Sequence, residues 1–252
     1  MGKQDGIIPI KATIDNLTFY KSKDGYMIRK KGGVDAQRIA TDPNYERARE
    51  NAKEFARAGQ ACKVLRDAVR TLIQQTADNR VTGRITRTMM QVIKADKTSS
   101  RGLRNVLDGE VELLDGFEFN KGSYLGTSLF APYSATIDRV TGELTVKLPS
   151  FIPTGMIAAP KGATHYRILS AGTEIDFEKG TNVTSIKNTA ELVWDKTPTA
   201  DITLVNTVTP NSTHPLLLLL GIEYGQHVNG EWYALKDASF NAMAIVKVDT
   251  GV

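Results

Sequence analysis

The chain has 252 residues, 41% hydrophobic and 24% charged, a balance that excludes fibrous, low-complexity and disordered classes and leaves room for one large domain or two modest ones. Its single cysteine, Cys62, excludes an intrachain disulfide and a cysteine metal cluster, and its longest apolar run, Pro215–Leu220, falls far short of the roughly 20 residues of a membrane helix. Net charge is +4, but residues 1–109 hold 22 Lys+Arg against 12 Asp+Glu (+10), whereas residues 110–252 hold 10 against 16 (−6). Such a split points to a polyanion or an acidic protein surface as partner, and the chain's own second half is one such surface.

The first residues, MGKQDGIIPIKAT, lack the apolar core of a signal peptide. Residues 7–33 read as β: a lead-in strand, then NLTFYKS and GYMIRKK joined through Lys23-Asp24-Gly25, where Asp-Gly is strong hairpin chemistry because glycine tolerates positive φ. Alternation puts Leu17 and Phe19 on one face and Thr18 and Tyr20 on the other. A lone hairpin is marginal in water, so this one needs something to lie against.

Residues 34–42 read as a connector. Asp42-Pro43 opens a long helix to about Thr76, with Asp as N-cap and Pro at the first position. Its expected inward stripe is Ala48, Ala52, Phe55, Gly59, Cys62, Leu65, Val69 and Leu72, which makes Cys62 a packing residue. Glu46–Arg49, Glu50–Lys53 and Glu54–Arg57 form an expected solvated face of i,i+3 pairs. A second helix runs from about Arg80 to Ala95 on the stripe Val81, Ile85, Met89, Val92. Arg80, Arg84, Arg87 and Lys94 share an adjacent face, and Arg101 and Arg104 continue the basic run into a loop.

From residue 109 short alternating segments take over: 110–114, 134–139, 143–148, 164–177, 189–194, 200–205, 214–224, 231–235 and 242–248, separated by turn signals such as Asn229-Gly230. Their spacing predicts an antiparallel, immunoglobulin-like β-sandwich, without the Cys–Trp–Cys pattern of antibody domains. The expected class is therefore α+β: a basic hairpin-plus-helix domain over 1–109 and an acidic sandwich over 110–252.

The run TIDNLTFYKSKDGYMIRKKGGV, followed by DPNYERARENAKEF and KVLRDAV, resembles an uncharacterised, prophage-associated family of Bacteroidota genomes, with a basic hairpin, an Arg/Asn-rich helix and a β-rich C-terminal half. The resemblance spans about residues 10–75. It implies a bacterial or phage-related setting and carries no activity and no site residues.

Signatures of chemistry are absent: no HExxH, no P-loop, no G-x-G-x-x-G before a helix, no G-x-S-x-G. Glu174, Asp176 and Glu178 alternate along a strand and share a face, which reads as solvated; with Asp195 and Asp201 they are the carboxylates available for a hard cation. His165, His214 and His227 all fall in the acidic half, and Trp194, Trp232 and Tyr233 form an aromatic edge of the kind that binds sugars. The expected function is non-enzymatic, with no cofactor and no metal: a building block, in the cytoplasm or a virion, that assembles with itself through head-to-tail contacts. Leu17, Phe19, Tyr20, Tyr26, Ile28 and Arg29 of the hairpin are the expected self-association residues. The alternative is a nucleic-acid binder gripping phosphates with Arg80, Arg84, Arg87, Lys94, Arg101 and Arg104, helped by the hairpin.

Overall fold

The computed structural model describes residues 2–4, 6, 8–30, 32–235 and 238–251, and divides the chain into two compact units, Met1–Glu50 and Asn51–Val252. The expected division at residue 109 differs from this one. The helices that follow residue 50 share one apolar core with the sheet that follows residue 109.

In the first unit, β1 (Gly2–Lys3), β2 (Ala12–Ile14), β3 (Leu17–Ser22) and β4 (Gly25–Lys30) form an antiparallel sheet in the order β1-β4-β3-β2. The expected hairpin is its centre, with Phe19 opposite Ile28 and Lys21 opposite Tyr26. Gly25 takes φ +113, a conformation that disfavours a side chain, and Ser22 Oγ accepts the Asp24 N–H at 3.1 Å. Lys31, expected at the hairpin's end, and Ile7, expected to open the lead-in strand, lie outside the described residues. Helix α1 (Ala36–Thr41) occupies the expected connector, N-capped by Asp35, and a 3-10 turn at Pro43–Tyr45 follows Asp42.

The long helix comes in two pieces, α2 (Glu46–Ala68) and α3 (Arg70–Thr76), interrupted at Val69. The buried stripe is Glu54, Ala58, Ala61, Cys62, Val64, Leu65, Ala68, Val69 and Leu72. Its C-terminal half is as expected, whereas Phe55 is 60% exposed, so the first half was expected in the wrong phase. Helix α4 (Val81–Ala95) buries Val81, Ile85, Met89 and Val92 as its spacing predicts. EVELL, expected as a strand, is a 3-10 turn over Val111–Leu114, followed by the short α5 (Leu125–Ser128).

The remaining elements are β5 (Ser134–Asp138), β6 (Glu143–Leu148), α6 (Pro153–Met156), β7 (His165–Asp176), β8 (Thr181–Asn188), β9 (Leu192–Val193), β10 (Ile202–Thr207), β11 (Leu216–Val228), β12 (Glu231–Ala234) and β13 (Ala242–Asp249). One sheet runs β12-β11-β7-β8, with β13 also on β11 and β9 also on β7; a second runs β10-β6-β5. All pairings are antiparallel.

The central strands of the large sheet, β7 and β11, are buried on both faces. Leu216, Leu218, Leu220 and Ile222 meet Leu144, Val146, Leu148 and Leu204 of the small sheet. Leu217 and Leu219, with Leu169, Ala171 and Ile175, meet the helical residues Leu65, Leu72, Ile85 and Met89. The α+β class stands. A two-layer immunoglobulin-like sandwich, as expected from the strand spacing, lacks this helical layer. The unbroken run Leu216–Leu220 is the physical reason, because a strand covered on both sides has no polar face to alternate. Where the sheets approach, Gly172 leaves room for Asn206, whose amide donates to Ser170 Oγ at 2.7 Å; a Cβ on Gly172 would lie 2.7 Å from that of Asn206.

Candidate self-association surface

None of the described residues 2–50 is buried. Register explains which face of the first sheet is apolar: Ala12 faces Phe19, Ile14 faces Leu17, and Phe19 faces Ile28, so these five side chains line one side. Ile14 is 54% and Leu17 43% exposed; Phe19, Tyr26 and Ile28 are half-buried. Ile8 and Ile10 continue the alternate spacing toward the N-terminus at 80% and 41% exposure. Gln4 holds Ile10 in place, accepting its N–H at 3.0 Å while donating to the Met27 carbonyl at 3.1 Å. On the sheet's surface Arg29 lies 5.4 Å from the Tyr20 ring and Lys21 5.6 Å from the Tyr26 ring. These cation–π pairs cover the two tyrosines that were expected to interleave with basic side chains for stacking.

The basic helix is built differently from its expected form. Arg84 turns inward, donating to the Asp78 carboxylate and to the Glu118 and Phe119 carbonyls, with its guanidinium 5.5 Å from the Phe117 ring. Burial alone raises the Asp78 carboxyl. The Lys121 and Arg80 N–H groups and the Arg84 charge outweigh it and hold the group below the usual carboxylate range. Arg87 and Lys94 remain exposed on α4. Arg101 reaches Asn51 Oδ1 at 3.1 Å. Arg104 lies in a loop anchored from α2, where Arg57 donates to the Gly102 and Arg104 carbonyls and the buried Glu54 accepts the Gly102 N–H at 2.8 Å. Glu54 and Arg57 are therefore a loop anchor instead of a solvated pair. Asp96, buried at the start of the same loop, accepts N–H bonds from Thr98, Ser99 and Asn105, and despite its burial these bonds hold its carboxyl far below the usual range.

The carboxylates of TEIDFE do not form a solvated face. Glu174 and Asp176 are buried, Glu174 accepting from Ser212 Oγ at 2.6 Å and Asp176 capping the N–H groups of Glu178 and Lys179, whereas Glu178 is exposed beyond the strand. His214 Nε2 lies 3.6 Å from Asp176. Asp195 and Asp201 cap separate loops through Thr197 and Ser150. Among the described residues no group of three or more His, Cys, Asp or Glu has the placement to hold a metal ion. Cys62 is buried, its Sγ 3.7 Å from the Thr82 carbonyl.

A polar cluster that no sequence spacing announces joins three strands, β7, β11 and β12, and the loop before β9 at one end of the large sheet. Glu191 accepts from both Arg167 and His227; His165 stacks on His227 at 4.1 Å; Arg167 lies 4.3 Å over Trp232. Glu223 is the cross-strand partner of Arg167. Desolvation, then the neighbouring His227, hold the His165 ring below the usual imidazole range against the opposing pull of Glu191. Burial pushes the Glu223 carboxyl up, opposed by Arg167. Trp232 is thus a packing platform, and Trp194 donates toward the Ile157 carbonyl at 3.4 Å; of the expected aromatic edge, Tyr233 is left 56% exposed. No helix among the described residues is long and apolar enough to cross a membrane.

Comparison of the chain with protein-family models, with curated proteins and with solved structures returns no match.

Proposed function

We propose that the protein is a non-enzymatic structural building block that self-associates through its N-terminal unit, forming a ring, filament or shell by head-to-tail contacts. The observation that carries this function is the four-stranded sheet whose apolar face, with Ile14, Leu17, Phe19 and Ile28, contains no buried residue. Small sheets need a covered face for stability, and exposed apolar patches mark interaction sites. The N-terminal unit, residues 1–50, carries 10 Lys+Arg against 7 Asp+Glu (+3) and residues 110–252 carry −6, which favours contacts between unlike surfaces of two copies over like with like. The inward-turned Arg84 disfavours the nucleic-acid alternative, because the centre of that basic face is already engaged with Asp78. A virion or tail-like particle is the setting suggested by the resemblance of residues 10–75.

Deleting residues 1–33 tests the function. Light scattering should show loss of assembly, with the melting transition of the larger unit retained. Truncated protein that assembles as the full chain does would overturn it.

A further inference from the structure

The self-association proposed above leaves the acceptor surface open, and β8 supplies one. This eight-residue strand pairs along one edge with β7, and no described strand pairs with its other edge. Strand β10 approaches from the facing sheet, but its own pairing is with β6. Natural sheets protect free edges with prolines, bulges, short strands or charges. In TNVTSIKN there is no proline, the register with β7 is unbroken, and Lys187 is the single charged side chain. Val183 and Ile186 are 47% and 38% exposed, and β-branched residues fill half of the strand.

The donor is equally specific. Residues 8–14, IPIKATI, alternate apolar Ile8, Ile10, Ala12 and Ile14 with Pro9, Lys11 and Thr13, the pattern of a strand with one buried face. Among the described residues this segment pairs as a strand over Ala12–Ile14 and is tied at Ile10 to the Gln4 side chain, and its three isoleucines are 41–80% exposed. Seven extended residues span about 24 Å against about 27 Å for the eight of β8. Pro9 restricts such a strand to an edge position, which is where an added strand lies. Residues 1–33 carry 7 Lys+Arg against 3 Asp+Glu, opposite in sign to the −6 of residues 110–252.

We infer that residues 8–14 of one copy add as a strand to the free edge of β8 in a second copy. Donor and acceptor are different surfaces, so each copy offers one of each and the contact propagates or closes into a ring.

The test rests on the proposed building-block function and uses two full-length variants. The donor variant carries Ile8→Ser, Ile10→Ser and Ile14→Ser; the acceptor variant carries Val183→Lys and Ile186→Lys. All five positions are exposed, so both should melt close to wild type. Each variant alone should be monomeric by light scattering, and their equimolar mixture should form a heterodimer and stop, since it joins one intact donor to one intact β8 edge. An acceptor variant that assembles like wild type, or a mixture that stays monomeric, would overturn the β8 assignment. If the donor variant alone loses assembly while the acceptor variant keeps it, the building-block function stands and the β8 edge does not. Wild-type protein that is monomeric at every concentration overturns both.

Discussion

Replacing Arg84 with Met separates a structural role of the basic helix from phosphate binding. The Arg84 side chain is 19% exposed and its partner Asp78 22%, so water screens the pair only in part. Methionine keeps much of the packing on Phe117 but leaves the Glu118 and Phe119 carbonyls without this donor. Asp78 retains the Arg80 N–H at 2.7 Å and the Lys121 N–H at 2.8 Å, so its loss is one charged partner and not full abandonment. Taking about 1 kcal/mol for each of the two carbonyls and up to about 1 for the partly screened ion pair gives a destabilisation of about 2–3 kcal/mol. In a unit of this size that lowers Tm by about 4–12 °C. Scanning calorimetry at neutral pH reads the shift. The acid limb carries a second signature. The Asp78 carboxyl is held down in the fold, so its contribution is complete above its unfolded pKa and is lost as pH falls through the folded one. Arg84→Met should shrink that acid-dependent loss. A variant that melts like wild type but no longer binds a polyanion column would refute the structural role and place Arg84 on phosphate.

Serine at Ile8, Ile10 and Ile14 together should weaken self-association about 10³-fold by sedimentation: these side chains are 80%, 41% and 54% exposed, and burying the exposed share at about 1.5–3 kcal/mol per full isoleucine gives about 4 kcal/mol. Leu218→Ala and Leu219→Ala should each cost about 2–5 kcal/mol in urea unfolding, since the two point to opposite faces and both are fully buried; a near-neutral result at either would mean that face of β11 is uncovered. His165 has a folded pKa below its unfolded value of 6.5, so the unfolded chain binds more protons below neutrality. Its contribution is complete above pH 6.5 and is lost as pH falls toward the folded pKa; His165→Gln should flatten that part of the stability curve, and an unchanged slope would contradict the packing of His165 on His227.

The hairpin, the stripe of α4 and the long strands were legible because a single period governs each. What failed did so where two constraints compete. Strand β8 is not legible in the sequence because its alternation lacks a run of large apolar residues, as suits an edge strand with no buried residue. EVELL has strand-like alternation but sits in a 3-10 turn, with Val111 and Leu114 buried three residues apart. In the first half of α2 the small residues suggest one phase, but the buried position there is Glu54, and a buried glutamate is visible only once Gly102 is beside it. Leu216–Leu220 carried the opposite signal: five leucines in a row already say that both faces are covered, yet the run does not say by what. The cluster of His165, Arg167, Glu191, His227 and Trp232 has no sequence spacing at all. Pairing of Gly225 with His165 and of His227 with Trp232 creates it, so only register reveals it. Among the expected self-association residues, alternation is enough to sort Leu17 and Phe19 from Tyr20, because face assignment in a hairpin is purely local.

An N-terminal sheet that belongs at an interface between copies is tested most directly by the mass of the wild-type chain in solution. Light scattering across a concentration series, at low and high salt, should give species heavier than the 27.6 kDa monomer that grow with concentration and shrink as ionic strength rises. A constant 27.6 kDa at every concentration and salt would contradict an interface between copies at this sheet.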